Sequence, residues 1–193
     1  GEVANFLAQP SVQNILTRVN GGSPSIINGL LQVVGEGQPA LFFMNPAGVL
    51  FGESARLNLP GSLTVTTADG IGFEQGWFSA VGENPFQALT AWPTGAFSFL
   101  SDRSGSVVNE GHLTLSDGAA LTLLGDTVIN TGTLSSPGGR LTVAAIPSEQ
   151  GTGETSVLLS QNYSLLSLEL GAVEGTLSLS SPNRPTFTPL DLP

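Results

Sequence analysis

The sequence predicts an all-β chain wound as a right-handed, three-sided parallel β-helix of about 20–21 residues per coil. Three observations predict it. The apolar runs are short, rich in leucine or β-branched residues, and bounded by Gly, Pro or Asn. No segment sustains the apolar stripe of a helix. And the chain repeats itself. Val107-Val108-Asn109-Glu110-Gly111-His112-Leu113 returns as Val128-Ile129-Asn130-Thr131-Gly132-Thr133-Leu134, a step of 21 residues (128 − 107). Leu121-Thr122-Leu123 returns as Leu141-Thr142-Val143, a step of 20 (141 − 121). Three short strands with three turns consume about that length.

The elements follow in chain order. Gln13 to Val19 alternates with period two and reads as a strand, and Gly21-Gly22-Ser23-Pro24-Ser25 as a turn. Ile26 to Val34 gives a short strand pair, ended by Gly35-Glu36-Gly37-Gln38-Pro39. Ala40 to Met44 is a strand, Asn45-Pro46-Ala47-Gly48 a turn, and Val49-Leu50-Phe51 the next strand. Leu57 and Leu59 alternate with polar residues, and Ser62 to Thr67 forms another strand. Asn45-Pro46-Ala47-Gly48-Val49 reads as a looser copy of the Asn-x-Gly corner at Asn109 and Asn130, and Leu63-Thr64-Val65 as a looser copy of the Leu-Thr-Val strand. Residues 74–101 break the period. Trp77, Trp92, Phe78, Phe86 and Phe97 mark this segment as a loop or hairpin excursion that packs its aromatics back on a flank. The four-proline stretch 181–193 reads as a tail or linker after a domain of residues 1–180.

In the stack, Asn109 falls beneath Asn130, and Leu121 and Leu141 share the inward phase. Leu113 and Leu115 point inward and His112 outward. At roughly 4.8 Å per coil, about nine coils make a rod about 45 Å long. An open solenoid end exposes unpaired edge groups and requires a cap. At the N-terminal end, either Glu2–Leu16 supplies it or residues before Gly1 do.

Composition narrows the function. With 40 % hydrophobic and 10 % charged residues, the chain has the makeup of a folded domain. The formal net charge is −10, with five Arg, no Lys and fifteen acids, so no basic stripe exists for nucleic acid and an anionic membrane repels it. There is no Cys, hence no disulfide framework. No apolar run reaches the length of about 20 residues that spans a bilayer.

Catalytic and metal motifs are weak. Gly35-Glu36-Gly37-Gln38-Pro39-Ala40 fits a dinucleotide fingerprint in letters, but a Pro interrupts it and no helix pattern follows, so it is a turn. His112 is the lone histidine and cannot build a zinc site unaided. Asp102-Arg103 is the one adjacent acid–base pair and reads as a solvated turn. Asn162-Tyr163-Ser164 is a formal glycosylation acceptor. A carbohydrate-active β-helix would need clustered carboxylates. A glycan- or protein-binding module would need Trp77 or Trp92 exposed.

The run from Asn14 through Arg18-Val19-Asn20-Gly21-Gly22-Ser23-Pro24-Ser25-Ile26-Ile27-Asn28-Gly29 resembles the filamentous haemagglutinin N-terminal domains, the two-partner secretion domains, in which Arg-Val-x-Gly-Gly and Ser-x-Ile-x-Gly recur. Phe42 to Gly52, with Asn45-Pro46-Ala47-Gly48-Val49, is similar to the family's Asn-Pro-Asn-Gly-Ile motif and following Phe-Gly. Leu57 to Leu63 and Thr66 to Asp69 continue the likeness. Gly138 to Ala145 and Leu165 to Leu168 are most similar to cyanobacterial members. Ala47 stands where the family has Asn, and a further Asn-Pro-Asn-Leu motif has no counterpart. The family's early strand is also absent, which implies a missing N-terminal segment.

The resemblance implies an export signal of a large adhesin-like surface protein. It implies recognition of the unfolded chain in the periplasm by the POTRA domains of a cognate TpsB-type outer-membrane transporter. It implies β-helix folding outside the cell that templates the repeats behind it. On this likeness Arg18, Asn28, Gly29, Asn45, Pro46 and Gly48 are the candidate recognition residues. A monomeric, non-catalytic module is implied, with no cofactor, nucleic acid or membrane insertion.

Overall fold

In a computed structural model, the structure describes residues 2–85, 92–100, 105–146, 154–159 and 168–172. The Asp102-Arg103 pair, the Asn162 acceptor, the Leu165–Ser167 part of the later motif and the tail 181–193 lie outside these residues.

The chain winds through three faces in strict rotation. The first face stacks β1 (Val3–Ala8), β4 (Leu30–Gly35), β7 (Arg56–Asn58), β13 (His112–Thr114) and β16 (Thr133–Ser135). The second stacks β2 (Asn14–Arg18), β5 (Ala40–Met44), β8 (Leu63–Thr66), β14 (Leu121–Gly125) and β17 (Leu141–Ala145). The third stacks β3 (Ser25–Ile27), β6 (Val49–Phe51), β12 (Ser106–Asn109) and β15 (Thr127–Asn130). All pairs within these faces are parallel. The fold is a parallel β-helix.

Alternation explains the core. In the second face Ile15, Leu41, Leu63, Leu121 and Leu141 lie one on the next. Leu41, Leu63 and Leu121 are fully buried. Each leucine so enclosed contributes about 1.5–3 kcal/mol relative to exposure. Val49, Val107 and Val128 stack likewise in the third face. The two predicted repeat registers are the observed ones: Val107 pairs with Val128 and Leu121 with Leu141.

Four expectations change. The described residues make about five coils, not nine, because the step shrinks to 20–21 only in the last ones. Ala40 follows Asn14 by 26 residues (40 − 14), and a side sheet is inserted before β12. The Asn45 corner joins the second face to the third, whereas the Asn109 corner joins the third to the first. The two are different corners, since Asn and Gly suit any turn that needs a left-handed residue. Leu141 has the inward phase but is 47 % exposed, because among the described residues no rung covers β17 on its far side. Glu2–Leu16 is no separate cover: it carries β1 and most of β2, the first rungs of two faces.

The side sheet contains β9 (Gly70–Phe73), β10 (Gly76–Ser79), β11 (Pro93–Leu100), β18 (Glu154–Leu159) and β19 (Leu168–Ala172), in the order β10-β9-β11-β18-β19. Its pairing is antiparallel throughout. Ile71, Phe73, Phe78, Phe97 and Phe99 pack with Phe42, Met44 and Leu124 from the outer side of the second face. The Phe42 and Phe73 rings stand 6.5 Å apart. The phenylalanines thus pack back on the rod as expected. The tryptophans do not: Trp77 and Trp92 are exposed.

Candidate functional site

The six candidate residues occupy two corners at either end of β3. Arg18, Asn45, Pro46 and Gly48 sit where the second face turns into the third. Asn28 and Gly29 sit where the third turns into the first. A three-residue strand separates the corners by roughly 10 Å.

Asn45 is 1 % exposed. Its side-chain carbonyl accepts the Ala47 amide at 3.0 Å, and the Gly48 amide donates to the Asn45 backbone carbonyl at 3.0 Å. These bonds close the turn that Pro46 pre-sets. The Asn45 Nδ2 group then reaches down one coil, donating to the Ser23 carbonyl at 3.0 Å and to Ser25 Oγ at 2.8 Å. The sequence offsets of 22 and 20 residues are one coil length. Sequence reading singled out Asn45 but missed Ser23 and Ser25, although the coil period itself was the signal that would have found them.

Gly48 has φ +123°, and a Cβ there would stand 3.1 Å from the Ser106 carbonyl oxygen. Its own carbonyl accepts the Ser25 amide at 3.0 Å. Pro46 is buried, and its carbonyl lies so close to Gly105 that no side chain fits there. The Asn-Pro-Ala-Gly turn is therefore held between the coil before it and the coil after it.

Arg18 ends β2. Its Nη1 group donates to the Ser79 carbonyl at 2.8 Å and to the Gly82 carbonyl at 2.9 Å. Asn84 closes the same loop, accepting the Ser79 amide at 2.7 Å and donating to the Ser79 carbonyl at 3.0 Å. Arg18 thus ties the first coil to the side sheet, a contact across 61 residues that no local pattern encodes.

At the other corner, Asn28 is exposed, and its Oδ1 accepts the Ser54 amide at 3.0 Å. Gly29 lies against the Glu2 carbonyl, where a Cβ would collide. The same carbonyl accepts the Leu30 amide at 3.0 Å. Further along, Asn109 Nδ2 donates to Asn130 Oδ1 at 2.7 Å, which makes the expected stacked pair. His112 faces outward and contacts Thr133 Oγ1 at 3.2 Å.

No three His, Cys, Asp or Glu side chains gather as a metal site among the described residues. No helix of those residues is long and apolar enough to cross a membrane. What the two corners offer is shape: glycine, proline and asparagine positions fixed by neighbouring coils.

No curated protein sequence matches the chain. The TPS secretion domain family matches it over residues 1–183, which span the whole coil and the side sheet. The chain therefore belongs to the TPS secretion domain family: it is the export domain of a protein that leaves Gram-negative bacteria by two-partner secretion, through a cognate transporter.

Proposed function

We propose that the two corners are read by the POTRA domains of the transporter before the chain folds, and that folding outside the cell withdraws them. The observation that carries this is their burial: Asn45 is 1 % exposed, and Pro46 and Gly48 are buried with it. Arg18 has its guanidinium engaged by the side sheet. A receptor can use these groups only on an extended chain. Once the coil closes, the same donors and acceptors serve the neighbouring coils, so export and folding compete for one set of groups. Folding then favours release of the domain on the outer side. The finished coil, a monomeric secretion module with no catalytic role, nucleates β-helix formation in the adhesin-like passenger that follows.

The test is secretion through the cognate transporter together with binding to its isolated periplasmic domains. Asn45→Ala with Gly48→Ala is expected to lower secretion severalfold. Leu121→Asp, which blocks folding but leaves both corners intact, is expected to bind the periplasmic domains at least as well as the native chain. Normal secretion of the first variant, or tighter binding of the folded wild-type domain than of the second, would overturn the proposal.

A further inference from the structure

The outer face of the side sheet serves neither the core nor the corners. Ile71, Phe73, Phe78 and Phe97 point toward the rod, so alternation turns Gly70, Gly72, Trp77, Thr94 and Ala96 the other way. Trp77 lies opposite Gly72 in the β9–β10 pair. Its ring also spreads across Gly70, where a Cβ would stand 3.2 Å from Trp77 Cε3. One side of the ring is laid on glycine backbone, and the residue keeps 41 % of its surface exposed.

On the other side of β9, the Trp92 carbonyl accepts the Glu74 amide at 3.1 Å, and Trp92 is 61 % exposed. Since its neighbour Pro93 pairs with inward-facing Phe73, Trp92 shares the outer face. The two tryptophans flank β9 on adjoining strands, roughly 10 Å apart. The floor between them is flat, because Gly72 has no side chain and Thr94 and Ala96 lie over it. Glu74, Gln75 and Thr94 are exposed beside the rings.

Flat aromatic surface with a polar rim suits a ligand that has an apolar ring face and hydroxyls at its edge. That is a pyranose. Charge selects among the candidates: Glu74 and the chain's net charge of −10 repel phosphates, sulfates and uronates. We propose that this face binds a neutral oligosaccharide, with Trp77 and Trp92 stacking on sugar rings and Glu74, Gln75 and Thr94 bonding hydroxyls. The site is independent of the corner residues and of transport.

The test applies the purified chain to a printed panel of neutral and acidic glycans, beside Trp77→Ala, Trp92→Ala, Trp77→Phe and the double alanine variant. Retention on neutral glycans is expected. Each alanine variant should weaken it about tenfold, the worth of one lost stacking contact. Trp77→Phe should keep most of it. Because Trp92 is largely exposed, Trp92→Ala should leave the melting temperature unchanged, which separates binding from folding. Retention of the wild type no greater than that of the double variant would overturn the proposal, and so would retention confined to acidic glycans.

Discussion

Asn45 and Gly48 show how a single turn can be fixed from three directions. The turn closes on itself through Ala47 and Gly48, and Asn45 reaches back to Ser23 and Ser25. Gly48, with φ +123°, meets Ser106 ahead. Gly48→Ala forces a side chain into a sparsely populated backbone region and is expected to cost about 1–3 kcal/mol. Urea unfolding would read this directly. Arg18→Ala removes two charge-assisted bonds to the Ser79–Gly82 loop. It should speed hydrogen exchange in that loop while amides in β14 stay unchanged. The turn at Asn45 was legible in the sequence because Asn-Pro-x-Gly has few other uses. Its partners were not, since nothing in a local motif says which coil lies beneath it. The same limit misassigned its corner.

At the scale of a strand, direction and depth are separate properties. Alternation along Leu121-Thr122-Leu123 and Leu141-Thr142-Val143 gives direction, and the sequence reading had it right for both. Depth depends on what lies above and below. Leu121 sits between Leu63 and Leu141 and is fully buried, whereas Leu141 is 47 % exposed. Leu121→Asp strands a charge in the core and is expected to cost more than about 4 kcal/mol. Leu141→Asp should cost about 1 kcal/mol or less, contrary to the equal penalty that phase alone suggests. Chemical denaturation of the two variants decides it, and equal losses would mean that β17 is as enclosed as β14. The side sheet was harder to read. Gly70-Ile71-Gly72-Phe73 has the alternation of a strand but glycine in place of its outward side chains, so it passed for a loop. Aromatic content then suggested that phenylalanine and tryptophan pack together. The pairing of Trp77 with Gly72 sends them to opposite faces.

For the molecule as a whole, the repeat was legible where coil length is constant and faded where it varies. From β12 onward the steps are 20 and 21 residues, and both registers were readable. Earlier coils differ in length, and residues between β8 and β12 interrupt the count. Yet Leu63 still pairs with Leu121 as if nothing lay between. Solenoid stability is a sum of neighbour contacts, which predicts a gradient of protection. Amides of β5, β8 and β14, each held between two rungs, should exchange slowest, and those of β1 and β17 fastest. A uniform profile would mean that the two cores unfold as one unit.

The ladder bonds of the three faces all run along the rod, from each rung to the next. Tension along that axis therefore pulls on the bonds lengthwise. It loads one rung's few bonds at a time, as a zipper is opened tooth by tooth. Force applied across the rod must shear whole ladders at once. An exported protein built on this coil would yield to an end-on pull gradually, lengthening by one coil of chain at each step, and would resist a sideways pull as a stiff body.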